Sequence, residues 1–132
     1  MNFLLDTHAF IWALFDSSKL SDPGKGYILN PENNIFVSII SFWEISLKYN
    51  LGKISFDNVT PDQLPSYAEN SGFSILNLEP NIVASFHKLP IENHKDPFDR
   101  LIIWQSINSD IPLISKDIQF EKYKKYNLKV IW

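Results

Sequence analysis

The chain has 132 residues, of which 45% are apolar and 20% are charged, a composition typical of globular proteins that argues against disorder. Its length fits one domain spanning residues 1–132 and leaves little room for two. The 12 basic and 15 acidic residues give a formal net charge of −3, which argues against nucleic-acid binding by bulk positive charge alone.

The first half of the chain alternates short apolar runs with amphipathic stretches, a pattern typical of a parallel sheet covered by helices. We predict strands at residues 2–5 and 35–38, each followed directly by a helix, at about 7–15 and 39–51. Ser21 and Pro23 fit the N-cap and first turn of a short helix between these units. Gly52 fits the end of the second long helix.

The second half of the chain continues the same alternation. Residues 60–63 fit a capping box with proline at the first helical position, which predicts a helix to about residue 70. We then predict a strand at 73–76, helices at about 80–88 and 96–109, strands at 113–115 and 128–131, and a short helix near 118–123. The predicted fold class is therefore α/β, a three-layer α/β/α sandwich with a central, mostly parallel sheet of about five strands.

The chain contains no cysteine, which excludes disulfides, thiolate metal sites and cysteine nucleophiles. Its first residues have no basic region and reach Asp6 after a short apolar run, unlike a signal peptide. The longest apolar stretch, residues 35–43, is too short to span a bilayer. We therefore expect a soluble, cytoplasmic protein that does not contact a membrane.

Two acidic residues follow predicted strands. Asp6 comes directly after the first strand, and Asp117 lies two residues beyond the strand that ends at Ser115. Ligands of open α/β sheets bind outside the carboxyl ends of the strands, so both acids lie where sites form. Taken singly, each is also explained as a helix N-cap, which is the commoner role of an acid at such a position.

Glu44 lies on the helix predicted at 39–51, where it shares a face with Ile40, Leu47, Lys48 and Leu51. Because three of these four residues are apolar, the carboxylate is expected on a stripe that belongs to the core. The alternative is an ion pair with Lys48 on a solvated face, which stabilises a helix by a few tenths of a kcal/mol.

Asp99 presents the same anomaly, because it shares a helical face with Ile102 and Ile103. A role as N-cap explains Asp96 fully, since acids are favoured at the start of a helix. The same explanation covers Asp99 only if its side chain turns back towards the helix end.

These acids converge on one edge of the predicted sheet. Carboxylates about 4 Å apart repel by about 4 kcal/mol at an effective dielectric constant near 20, so the group needs a shared proton or a bound cation. Oxygen ligands without cysteine favour a hard divalent ion, Mg²⁺ or in its place Mn²⁺. Such an ion, holding few protein ligands and several waters, suits hydrolysis of a phosphodiester.

The segments that carry these acids resemble those of the PIN-domain nucleases, and specifically the VapC-like toxins of type II toxin–antitoxin systems. The matching segments occur in family order and span nearly the whole chain: Leu-Leu-Asp-Thr-His at 4–8, Ser-Phe-Trp-Glu-Ile at 41–45, Asp-Pro-Phe-Asp-Arg at 96–100 and Ile-Ser-Lys-Asp at 114–117. The resemblance implies a Mg²⁺-dependent endoribonuclease that is a homodimer and is held inactive by a cognate antitoxin. It also implies that Asp6, Glu44, Asp99 and Asp117 form the acidic metal-binding and catalytic quartet, with Asp6 and Asp99 as the foremost direct ligands.

Several neighbours of the quartet are candidates for orienting the carboxylates or contacting RNA: Thr7, His8, Ser41, Asp96, Arg100 and Lys116. Hydroxyl groups next to metal ligands commonly orient them, which favours this role for Thr7 and Ser41. For the histidine and the arginine, an ordinary structural role at a helix end or on a helix surface is an equally simple explanation. The tryptophans at 12, 43 and 104 are most simply core or interface residues, because each lies in an apolar helical stretch. Stacking on RNA bases is the less common alternative for such a residue.

Basic residues concentrate at the end of the chain, where residues 116–129 include five of the twelve. They lie either along an RNA path beside Asp117 or on an ordinary solvated face.

Two other classes of function remain open. A phosphoacceptor receiver domain shares the length and the acidic Mg²⁺ pocket, but it calls for adjacent acids after the first strand, and Asp6 has no acidic neighbour. An RNA- or protein-binding module without catalysis would use the acids only as helix caps. That module predicts no change of thermal stability with Mg²⁺, whereas a metal site gains stability by mass action.

Overall fold

The computed structural model describes residues 1–132 and contains one sheet of five strands. The strands are β1 (Asn2–Leu5), β2 (Asn34–Ser38), β3 (Ser74–Leu76), β4 (Leu113–Ile114) and β5 (Val130–Ile131). Every neighbouring pair is parallel and the spatial order is β3-β2-β1-β4-β5, which confirms the predicted α/β class. Receiver domains have the order 2-1-3-4-5, so this sheet is not theirs.

Six α-helices flank the sheet: α1 (Thr7–Phe15), α2 (Asp22–Leu29), α3 (Ile39–Asn50), α4 (Leu64–Asn70), α5 (Pro80–Ala84) and α6 (Pro97–Ser109). The predicted helix ends agree with the sequence signals, since the side chains of Asp6, Ser21 and Asp96 each accept a backbone N–H of the first turn. Gly52 and Gly72 follow α3 and α4 with φ of +72° and +88°, the left-handed conformation that glycine adopts without strain.

Four short 3-10 helices, Ser17–Lys19, Pro61–Gln63, Phe86–Lys88 and Ile118–Tyr126, account for most differences from the predicted boundaries. The helix predicted at 80–88 is interrupted at Ser85, and the one predicted at 60–70 begins as a 3-10 turn inside its capping box. The last strand starts at Val130 rather than at Leu128. The Leu128 N–H bonds the Tyr123 carbonyl at 3.3 Å and so still belongs to the preceding helix end.

The core lies in two clusters, one on each face of the sheet, because successive side chains of a strand point to opposite faces. On β1, Phe3 and Leu5 pack in the first cluster with Phe10 of α1, while Leu4 packs in the second with Ile103 of α6. This arrangement confirms the predicted three layers. No helix of the structure combines the length and apolar character needed to cross a membrane.

Candidate metal centre

The carboxyl ends of β1, β2 and β4 bring the predicted site residues to one edge of the sheet. Leu5 pairs with Val37 on one side and with Ile114 on the other, so the next residues of the three strands lie side by side. Those residues are Asp6, Ser38 and Ser115, and all three are buried. The edge is therefore the crevice where open α/β sheets bind ligands.

Three carboxylates, those of Glu44, Asp96 and Asp99, each place an oxygen within 4.8 Å of the others. Asp96 was predicted as the N-cap of α6 and as a candidate for orienting the carboxylates or contacting RNA. Its Oδ1 does accept the backbone N–H groups of Phe98 at 2.9 Å and Asp99 at 3.1 Å, but the same carboxylate faces the other two acids.

The Asp99 side chain does not turn back to cap α6. Its Oδ2 lies 3.1 Å from Nε2 of His94, a buried residue in the loop before the helix. Burial, followed by the negative charges of Asp96, Glu44, Asp6 and Asp117, raises the pKa of Asp99 to about 8. Together these five carboxylates form the acidic cluster: Asp6, Glu44, Asp96, Asp99 and Asp117.

Glu44 is only 2% exposed, as its place on an apolar stripe suggested, but the reason given for its burial was partly wrong. Leu47 and Leu51, which were expected to share its buried face, are 40% and 58% exposed. Polar partners instead surround the carboxylate. It accepts the Thr7 hydroxyl at 2.6 Å and forms an ion pair with Lys48, so the predicted pair exists with its acid buried.

The pKa of Lys48 depends on several acids of the cluster. Burial of Lys48 lowers its pKa, but the hydrogen bond and charge of Glu44, with the charges of Asp96 and Asp99, outweigh burial and raise the pKa overall. Ser41 completes the arrangement, because its hydroxyl lies 3.0 Å from that of Thr7. Of the two hydroxyl residues predicted to orient the carboxylates, Thr7 therefore bonds Glu44 directly, and Ser41 contacts Thr7.

Asp6 is fixed by donors of its own. Its Oδ1 accepts the Ala9 N–H at 2.7 Å, and its Oδ2 accepts the Ser115 hydroxyl. Burial raises the pKa of Asp6, while the bonds from Ser115 and Ala9 and the charge of His8 counteract this and the charge of Asp117 adds to it. The Ser115 oxygen in turn accepts the Asp117 N–H at 3.1 Å, which links the two acids through one hydroxyl.

The cluster has little positive charge to balance it. Within it only Glu44 forms an ion pair with a lysine or arginine, and that partner is Lys48. Burial is the main cause that lowers the pKa of His94, so this histidine is a weak source of charge. Asp6 and Glu44 are buried, Asp96 and Asp99 are partly buried, and Asp117 is exposed. Carboxylate oxygens with excess negative charge are the donor set that a hard divalent cation requires.

The candidates for RNA contact are placed differently from one another. Arg100 donates to the carbonyl oxygens of Leu89 at 2.8 Å and Pro90 at 3.4 Å, and its guanidinium lies 4.9 Å from the Phe86 ring centroid. This geometry favours the structural role for the arginine. His8 and Lys116 are exposed beside Asp6 and Asp117, where nothing ties them to the protein backbone.

Sequence reasoning missed two residues of the site. His94 has no periodicity that marks it, and only its position in the loop before the first turn of α6 hints at Asp99. Ser115 was read as the end of a strand, although a hydroxyl at the carboxyl end of a strand, next to that of Asp6, was a usable signal.

A family model described as PIN domain matches residues 3–126. No curated protein matches this chain. Among solved structures, VapBC2 from Rickettsia felis bound to a DNA fragment from their promoter has a TM-score of 0.68 at 20% identity, covering 99% of this chain and 98% of that one. VapBC-1 from nontypeable Haemophilus influenzae has a TM-score of 0.64 at 17% identity, covering 99% of this chain and 97% of that one. FitAcB from Neisseria gonorrhoeae has a TM-score of 0.61 at 18% identity, covering 100% of this chain and 97% of that one. At these identities the likeness is one of fold.

Proposed function

Because this chain belongs to the PIN-domain family, we propose that it is a Mg²⁺-dependent endoribonuclease and that the acidic cluster is its catalytic centre. Mn²⁺ is the expected substitute, since it accepts the same oxygen ligands. We propose further that residues 1–132 act as one domain and that the protein works in the cytoplasm. RNA is the substrate, and the reaction is hydrolysis of its phosphodiester bonds.

The observation that carries this proposal is the environment of Asp99. A carboxyl group with a pKa of about 8, beside four other acids, is poorly suited to a purely structural role, because ionising it costs free energy. Binding a divalent cation reverses that cost. Strongly perturbed acids in a cleft are typical of functional sites rather than of surface ion pairs.

We assign the roles as the resemblance to PIN-domain nucleases implies. Asp6 and Asp99 are the foremost metal ligands, and Glu44 and Asp117 complete the quartet directly or through water. Thr7 holds Glu44 and Ser115 holds Asp6, so two carboxylates are oriented before any ligand arrives. Bound Mg²⁺ supplies electrostatic stabilisation of the charge that develops on the phosphate during hydrolysis.

We propose that the protein is the toxin of a toxin–antitoxin pair, bound by a cognate antitoxin and forming a homodimer. The fold supports this, because a similar structure, VapBC-5 from Mycobacterium tuberculosis, is described as a member of the VapBC family of toxin–antitoxin systems. So does the outer face of α3, where Ile39, Trp43, Leu47 and Leu51 recur every four residues and are all exposed. Exposed apolar stripes of this kind mark protein interfaces.

The test is to incubate the purified chain with total cellular RNA in the presence of Mg²⁺ or of a chelator. Wild-type protein should produce discrete fragments that require the metal. Asp99→Asn removes one ligand charge without changing side-chain size, so we expect cleavage to fall by about a hundredfold or more. Mapping the fragment ends then identifies the RNA.

Asp110→Asn is the matched control. Asp110 follows the opposite end of α6 from Asp99, its side chain is 80% exposed, and its ion pair is with Lys129. This variant should cleave like wild type. Metal-independent cleavage, or full activity in Asp99→Asn, would contradict the proposal. So would an absence of cleavage together with a melting temperature that Mg²⁺ does not change.

A further inference from the structure

A depression of about 210 Å³ opens beside the acidic cluster, and the proposed chemistry leaves most of its lining without a role. Two acids, Asp6 and Asp117, line it together with His8, Trp12 and Lys116. It is smaller than the ~300–1,000 Å³ of pockets that enclose drug-sized ligands, which limits its occupant to one small ring system.

The aromatic wall of this depression is held in place from behind. The Trp12 ring lies 5.9 Å from that of Trp132 in an edge-on arrangement, and both rings pack against the core below. His8, one turn earlier on α1, lies 5.7 Å from the Trp12 ring, tilted by 41°. A fixed, partly exposed indole with an exposed imidazole beside it forms a preorganised stacking surface.

Lys116 supplies the only free ammonium group of the five lysines near the chain end. Lys124, Lys125 and Lys129 form ion pairs with acids, and Lys122 donates to the Glu92 carbonyl. Lys116 forms no ion pair, and its Nζ lies 5.9 Å from the Trp12 ring centroid. Its charge is therefore available to a ligand that enters the depression.

We propose that this depression binds one unpaired nucleobase of the RNA, stacked on Trp12 and bordered by His8, with Lys116 contacting a neighbouring phosphate. The proposal rests on the nuclease function above and adds to it a subsite for the nucleotide next to the cleaved bond. It also favours the less common alternative for Trp12, stacking on RNA bases, over the expected role as a core or interface residue.

The lining favours a base over other small occupants. Stacking on an aromatic side chain stabilises a bound base by about 1–3 kcal/mol whatever its sequence, because every base has a π-face. A cationic side chain would meet the ammonium of Lys116, which already lies over the indole. A free anion would meet Asp6 and Asp117. A neutral ring joined to a phosphate at the lysine avoids both conflicts.

The test compares two labelled RNA hexamers of equal charge, hexa-adenylate and a fully abasic chain, by fluorescence anisotropy. Ca²⁺ replaces Mg²⁺ to offset part of the negative charge of the acidic cluster, and a gel confirms that the RNA stays intact. We expect wild type to bind hexa-adenylate about tenfold more tightly than the abasic chain. Trp12→Leu should bring this ratio close to one, while Trp12→Phe, which keeps an aromatic face, should retain most of it.

The matched control is Tyr67→Leu, because Tyr67 on α4 is 43% exposed and lines none of this depression. It should keep the wild-type ratio. His8→Ala guards against a folding artefact at Trp12, since it removes an exposed ring, and it should lower the ratio about twofold. Lys116→Gln should weaken both hexamers alike and reduce the salt dependence by about one counterion.

A ratio of one in wild type, or an unchanged ratio in both Trp12→Leu and His8→Ala, would overturn the base subsite. These outcomes are separate from those of the nuclease proposal. Metal-dependent RNA cleavage with an unchanged ratio leaves the nuclease standing without this subsite. A ratio that depends on Trp12 in a protein that does not cleave supports the subsite in an RNA-binding protein.

Discussion

Asp6 and Asp99 belong to one acidic cluster, and burial raises the pKa of both, yet their surroundings differ in kind. Asp6 accepts a backbone N–H and a serine hydroxyl, and both bonds lower its pKa against the effect of burial. Asp99 contacts one buried histidine, and after burial the leading influences on its pKa are four other carboxylates, which all raise it.

The difference indicates a division of labour within the cluster. Hydrogen bonds from the protein offset part of the cost of burying the Asp6 carboxylate, and Asp6 also serves the fold as the N-cap of α1. The protein leaves Asp99 uncompensated, so this carboxylate costs stability until a cation arrives. Sites that are destabilised for function in this way follow a general trade between stability and activity.

Asp99→Asn should give the largest change, and it should be a gain of stability. The folded pKa of about 8 lies above the usual value near 3.8, so the folded protein holds more protons than the unfolded chain between these pH values. Its stability therefore falls as pH rises through this window. Asparagine does not titrate, so this variant should lose the dependence of stability on pH that Asp99 causes. A shift of about four pKa units corresponds to about 5 kcal/mol near pH 8. Because the Asp99 side chain remains 22% exposed, solvent screening reduces this value, and in metal-free buffer we expect the variant to exceed wild type by about 3 kcal/mol, or about 10 °C.

Melting curves at about pH 5 and about pH 8 check this prediction, because the gain at the lower pH should be only about a third of that at the higher pH. Asp110→Asn is the control and should shift the melting temperature alike at both pH values. Added Mg²⁺ sharpens the test, since it should stabilise wild type most near pH 8 and affect Asp99→Asn little. An Asp99→Asn variant that is less stable than wild type near pH 8 would refute this account of the cluster.

Asp6→Ala should have the opposite sign. It removes the N-cap of α1 and leaves the Ala9 N–H and the Ser115 hydroxyl without their partner. We expect a loss of about 2 kcal/mol in the free energy of unfolding by guanidinium denaturation near pH 7, after the relief of one buried charge is included.

Asp6→Asn separates the cap from the charge, because an asparagine oxygen accepts the Ala9 N–H as well as aspartate does. It should cost less than half as much as the alanine variant. If alanine and asparagine have equal stability, the hydrogen bonds at Asp6 do not carry the contrast with Asp99.

Most of the fold was predictable because its signals are local. Asp6, Ser21 and Asp96 are caps that bond within three residues, and the Gly52 and Gly72 stops depend on one dihedral angle each. The wrong helix boundaries lie where α-helical hydrogen bonds give way to 3-10 hydrogen bonds. At Ser85 the helix predicted at 80–88 changes in this way, and over so few residues neither an α-helix nor a 3-10 helix has a distinctive pattern of side chains.

The site was predictable only in part, because its carboxylates meet through the tertiary fold. Positions after strands gave Asp6 and Asp117, and misplaced acids on apolar faces gave Glu44 and Asp99. Periodicity could not show that Asp96 faces the same cluster while capping its helix. Nor could it show that His94 reaches Asp99, since loop residues carry no periodic signal.

Ser115→Ala should give the smallest of the three stability changes. The Ser115 hydroxyl donates to Asp6 and accepts the Asp117 N–H, so we expect a loss of about 1 kcal/mol. Its donated bond lowers the pKa of Asp6, so alanine raises that pKa further. The loss should therefore grow as pH rises and Asp6 ionises.

Ser106→Ala provides the comparison that isolates the charged partner. Ser106 is also buried, but its hydroxyl donates to the uncharged carbonyl of Ile111 at 2.6 Å. The free energy of unfolding that Ser106→Ala loses should be similar in size and independent of pH, because no titrating group is involved. Denaturation of both variants at about pH 5 and about pH 8 gives the answer. Equal pH dependence in the two would mean that Ser115 acts on packing alone, and Asp6 would then resemble Asp99 more closely than its hydrogen bonds indicate.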